Sequence, residues 1–163
     1  MAKKDRAGKR KERAKHPFRT PDLGYYILIT DAEATEKYYF IGLRDSLAKD
    51  LQQRLVIKVI AKSDVGDLID RCEEAIAKHP QYAIPWLIID RDEVKDFDAL
   101  IANVKRRQIN AGWSNPCIEL WFQCYFKNPA MGQDSGQCCS RVKELLYKKA
   151  KIEYDKADEK IYR

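Results

Sequence analysis

The chain is 163 residues long, 45% hydrophobic and 34% charged, with a formal net charge of +6. That length supports one domain with a real core and is too short for two independent ones. No run of 18 uncharged apolar residues occurs, so no spanning helix is expected, and the charged N-terminus lacks the apolar core of a secretion signal. A cytoplasmic protein without membrane contact is the expectation.

The charge is uneven. Residues 1–20 carry nine Lys or Arg against Asp5 and Glu12, a net of +7, so the remaining 143 residues come to −1. The basicity thus belongs to an arm over 1–22, and the folded body to 23–163. Lys9, Arg10, Lys11, Arg13 and Lys15 suit phosphate contact, whose affinity is salt-dependent and blind to sequence. The competing reading of the arm is a solubilising tail.

After Pro17 and Pro21, Tyr25 to Thr30 reads as a buried strand that stops on Asp31. Helical spacing follows from about Ala34 through Tyr39, Phe40, Leu43, Leu47 and Leu51. Leu55 to Ile60 is a second strand. Ser63 and Asp64 can cap a helix running to about Lys78. Tyr82 to Ile89 is a third strand, with Pro85 placing its working start at Trp86. It ends on Asp90-Arg91-Asp92. Asp96 can cap a helix from Phe97 to about Arg107, and Ile109 to Ala111 reads as a brief fourth strand. Ser114-Asn115-Pro116 opens a helix from Cys117 to Phe126, and a charged helix runs from Gln137 to about Tyr154. Strand–helix alternation predicts an α/β fold: a mostly parallel sheet with helices on both faces and its site at the carboxyl edge of the strands.

Both acidic stops fall on that edge. Taken singly, Asp31 reads as a helix cap, Glu36 as a helix acid, and Asp90 and Asp92 as a turn. Taken together, at the ends of two buried strands, Asp31, Asp90 and Asp92 predict a Mg²⁺ or Mn²⁺ site of the carboxylate-and-water kind, provided the first and third strands are neighbours. Asn115 and Glu119 form a third group, since Glu119 opens a helix otherwise apolar and aromatic. The alternative for Glu119 is dipole complement at a helix start. Trp113, Trp121 and Tyr125 are expected in the core. The five cysteines include no Cys-x-x-Cys pair, and with two histidines a structural zinc site is not expected. No Walker A loop, G-x-G-x-x-G or G-x-S-x-G is present, which excludes P-loop nucleotide hydrolysis.

Four stretches resemble one family. ILITDAEATEKYYFIGL resembles the vCEGekTExxYFxxL opening of RloB-like proteins, IIDRDE resembles their aspartate pair, and SNPCIELWFQCYF matches their SNPCFElWlllHF block. YDKADEKIY resembles their final YxK…Y segment. The resemblance implies a Toprim-like fold and a metal-dependent nuclease of antiviral defence, acting on RNA or DNA, with an ATPase or other defence protein as partner. Position by position it implies site roles for Asp31, Glu36, Asp90 and Asp92, with Asn115 and Glu119 on the signature block. Asp31 stands where the family has glutamate, Ala32 where it has glycine, and Tyr125 where it has histidine. The chain also stops sooner after Tyr154 than its relatives usually do, as either a C-terminally truncated fragment or a natural short form would. The alternative function is a weakened or inactive nucleic-acid-binding module. A receiver-like phosphoacceptor is disfavoured, because no lysine follows a late strand in the required place.

Overall fold

The computed structural model of the chain describes residues 24–60 and 65–162. The basic arm and the Ser63 and Asp64 cap lie outside the described residues. Four strands, β1 (Tyr26–Thr30), β2 (Leu55–Val59), β3 (Ile84–Asp90) and β4 (Asn110–Ser114), form one sheet in the order β2-β1-β3-β4, every pair parallel. Among the described residues six α-helices accompany them: α1 (Thr35–Ser46), α2 (Lys49–Gln52), α3 (Val65–Ala77), α4 (Phe97–Arg106), α5 (Ile118–Cys124) and α6 (Ser135–Ala150). The α/β class, with a sheet consistent with a Toprim-like arrangement, is as expected.

The strand order explains the layering. Right-handed crossovers that step outward from β1 to β2, then back across to β3 and β4, place α1 on one face and α3 and α4 on the other. On the second face, alternate strand residues Ile27, Ile29, Leu87 and Ile89 pack on Leu68, Ile69 and Cys72 of α3 and on Leu100 and Val104 of α4. A separate cluster joins Tyr39 of α1, Ile118 and Phe122 of α5, Val142 of α6 and Tyr154. Among the described residues, no helix is long and apolar enough to cross a membrane.

Four local expectations are corrected. Pro85 lies inside β3, which starts at Ile84. The Ile84 amide donates to Tyr25 O on the β1 side, so the proline nitrogen faces the other way, where β4 has not yet begun, and no ladder bond is lost. The helix expected to run to Leu51 ends at Ser46, whose hydroxyl donates back to Leu43 O (2.6 Å) as Leu47 turns extended. Asp96 holds the N-cap position of α4 without a side-chain cap, because its backbone is left-handed (φ 53°). The last helix starts earlier and stops earlier than expected. Asp134 and Gln137 form a reciprocal capping box at its start, and Lys151, left-handed at φ 59°, terminates it. Tyr154 therefore sits in an irregular tail.

That tail returns to α1. Tyr162 rests directly on the backbone of Gly42, where a Cβ would collide with it, and Thr35 Oγ1 donates to Lys156 O at 3.1 Å.

Candidate functional site

The expected neighbourhood of β1 and β3 is present: Ile29 pairs with Leu87 and Thr30 with Ile88, so the two strand tips lie one sheet spacing apart. Alternation along β3 puts Asp90 on the side of Trp86 and Ile88, the side that α1 and α5 cover. There a pocket of about 390 Å³ opens, lined among others by Asp31, Glu36, Asp90, Glu119 and Lys156. Asp31 lies on the turn leaving β1, Glu36 in the first turn of α1, Asp90 at the tip of β3 and Glu119 in the first turn of α5. With Glu33 on the same turn as Asp31, five acidic residues thus line the pocket.

Their protonation follows from burial and crowding. Asp90 is pushed up to about 9, first by desolvation and then by the charges of Glu36, Glu119 and Asp92. It shares a hydrogen bond with Glu36, a residue only 6% exposed and itself raised by burial. Like charges this close do not all ionise in a poorly solvated site. Glu119 behaves differently. Burial opposes its charge, but the nearby Cys117 thiol and the contacts from Lys156 and Tyr154 outweigh that and hold it below the usual range. Lys156 is correspondingly raised: partial burial opposes its charge, and pairing with Glu119 more than restores it.

Glu119 is 0% exposed. Its Oε1 accepts from Tyr154 Oη (2.9 Å) and pairs with Lys156 Nζ (2.9 Å). Its Oε2 is buried with no hydrogen-bond partner. Leaving a buried acceptor unsatisfied costs about 1–3 kcal/mol, and more for a charged group. A cation would satisfy that oxygen and neutralise the crowd around it, so this donor set fits a divalent ion. Among the described residues, Asp90, Cys117 and Glu119 form a group whose ligand atoms all lie within 4.8 Å of one another.

Two expected members stand elsewhere. Asp92 does not line the pocket; it sits in the 3₁₀ turn Arg91–Glu93 after β3, exposed, where Ser135 Oγ at the start of α6 donates to its Oδ2. Asn115 is exposed at the end of β4. Trp113 (48% exposed), Trp121 (54%) and Tyr125 (64%) are surface residues, which corrects the expectation of core positions. The physical reason is the phase of α5. Ile118, Glu119, Phe122 and Gln123 take its inner face, leaving Trp121 and Tyr125 outside. They meet at the rim, where Trp121 Nε1 donates to Tyr39 Oη (3.2 Å) and the Tyr39 and Tyr125 hydroxyls are 2.6 Å apart.

Sequence reasoning missed Cys117, Tyr154 and Lys156 as site residues. The Cys-x-Glu spacing at the head of α5 carried a signal for the first. The YxK pattern of the last segment marked the other two positions but gave them no role, because they come from an irregular tail docked by tertiary contacts.

The family model described as RloB-like protein matches residues 26–163. No curated protein matches the chain, and no solved structure does.

Proposed function

Because the chain belongs to the RloB-like family, we propose that it is a divalent-metal-dependent nuclease that hydrolyses phosphodiester bonds in RNA or DNA, in antiviral defence. The observation that carries the reading is the convergence of Asp31, Glu36, Asp90 and Glu119 on one pocket with a lysine. The acids there, Glu33 among them, would repel a phosphodiester unless a cation stood between them. A bound Mg²⁺ or Mn²⁺ supplies a nucleophilic water of lowered pKa and neutralises charge on the leaving oxygen.

In this reading Asp90 and Glu119, with Asp31 at the pocket wall, hold the ion. Asp31 orients the attacking water and takes its proton. Glu36 keeps the Asp90 carboxyl turned inward through the hydrogen bond they share. Tyr154 and Lys156 lock Glu119, and the half-exposed Lys156 ammonium faces incoming phosphate. The basic arm adds phosphate contacts that read no base.

The test is a cleavage assay with Mn²⁺ on single-stranded and duplex RNA and DNA, comparing the full chain with Asp90→Ala. A loss of about 100-fold or more is expected, the scale of a displaced catalytic group; equal activity in the two overturns the assignment. A binding-only module is the second reading. It is favoured by the exposed aromatics Trp113, Trp121 and Tyr125, which are suited to stacking on bases. Nucleic-acid binding with neither cleavage nor a thermal shift from Mn²⁺ would select it.

A further inference from the structure

We propose that Asp90, Cys117 and Glu119 hold one divalent cation through two carboxylate oxygens and a thiolate, so that the acid pocket selects a thiophilic ion such as Zn²⁺ over Mg²⁺. The inference rests on the reading that this pocket binds a cation, and adds the donors and the class of ion.

Three observations support it. The ligand atoms of these residues are mutually within 4.8 Å. Tetrahedral donors at about 2.1 and 2.3 Å from a shared ion lie roughly 3.6 Å apart, so the widest pair closes by about 1 Å as the ion enters. Glu119 offers a lone, fully buried oxygen, Oε2, while its other oxygen is fixed by Tyr154 and Lys156. Outer partners of this kind orient a metal ligand and tune its basicity. Cys117, 2% exposed at the N-cap of α5, presents its sulfur to the same carboxylate rather than to apolar side chains alone.

The donor chemistry then chooses the ion. Mg²⁺ prefers oxygen and retains its waters, whereas a thiolate favours softer ions, and affinity at such sites rises along the first-row series toward Zn²⁺. Three protein donors with a remaining position for water is the arrangement of catalytic zinc. On binding, the Cys117 thiol and the Asp90 carboxyl each give up a proton to solvent as the metal–sulfur and metal–oxygen bonds form, with no change of oxidation state.

Co²⁺ serves as the spectroscopic probe on the full-length chain. The wild type should develop a sulfur-to-cobalt charge-transfer band that Zn²⁺ abolishes by displacement and Mg²⁺ does not. Cys117→Ser should lose the band and weaken Zn²⁺ at least about 10–100-fold, the range lost with mere outer partners. Its Mg²⁺ affinity should change little. Cys124→Ser, at an exposed cysteine outside the group, should keep the band. Metal-free melting of each variant establishes that it folds. A band retained in Cys117→Ser, or undiminished Zn²⁺ affinity, overturns the thiolate while leaving the carboxylate pocket standing. If neither Co²⁺, Zn²⁺, Mn²⁺ nor Mg²⁺ binds the wild type, the cation reading itself fails.

Discussion

Toward α3 and α4 the sheet presents Ile27, Ile29, Leu87 and Ile89, all but inaccessible, and meets Leu100 and Val104 that are equally so. Toward α1 and α5 it presents Trp86 and Ile88, half-buried along an apolar groove of about 410 Å³ that Gly112 keeps open. The second side also carries the buried acids, an unsatisfied carboxylate oxygen and the exposed aromatic rim. One face is closed by buried apolar side chains, and the other leaves polar groups and volume unfilled. Burial of apolar area thus concentrates stability on the first side, while the second bears the electrostatic cost of a cation site.

The contrast can be broken by substitution. Leu87→Ala on the packed face should cost about 2–5 kcal/mol, read as a melting shift of about 2–4 °C per kcal/mol for a chain this size. The stabilisation on adding metal should be unchanged. A small loss at Leu87 would erase the distinction between the faces. Glu119→Gln should strike the other face. Metal-free melting falls as Lys156 loses its buried counter-charge, and in addition the roughly 2.7 kcal/mol of stabilisation expected at a hundredfold excess of Mn²⁺ over its Kd disappears.

Asp90 sharpens the contrast through pH. Its carboxyl titrates near 9 in the folded chain against an ordinary 3.8. Folded protein therefore binds the proton more tightly than unfolded protein, a contribution fully present below about pH 4 and lost as pH rises toward 9. Metal-free stability should decline through that window in denaturant titrations, and Asp90→Asn should flatten the decline. The smallest effect belongs to the rim. Tyr125→Phe removes one partner of the Tyr39 hydroxyl and should cost about 0.5–1 kcal/mol, with the response to metal intact.

Much of this was legible from residue order. Apolar runs ending on Asp31 and Asp90 mark parallel strands, and their parity with Ile88 foretells which side Asp90 takes. Pro85 misleads because its acceptability depends on where a different strand begins. Trp121 and Tyr125 mislead because a seven-residue helix shows too few turns for its inner face to be read when that face carries Glu119 and Gln123. The YxK segment flagged Tyr154 and Lys156 without saying what they touch, since their role depends on a tail folding back over more than a hundred residues to Thr35. The acids were found by pattern, whereas their partners depend on tertiary closure.

Gly42 sits six residues, or about 9 Å of helix rise, beyond Glu36, yet the seat of Tyr162 depends on its missing side chain. The reach of Lys156 into the acids is thereby latched from a remote notch. A single methyl group added at that notch would lever the C-terminal strap away, withdraw the ammonium and leave Glu119 to face its neighbours uncompensated. The acidity at one end of α1 is thus governed by bulk at the other.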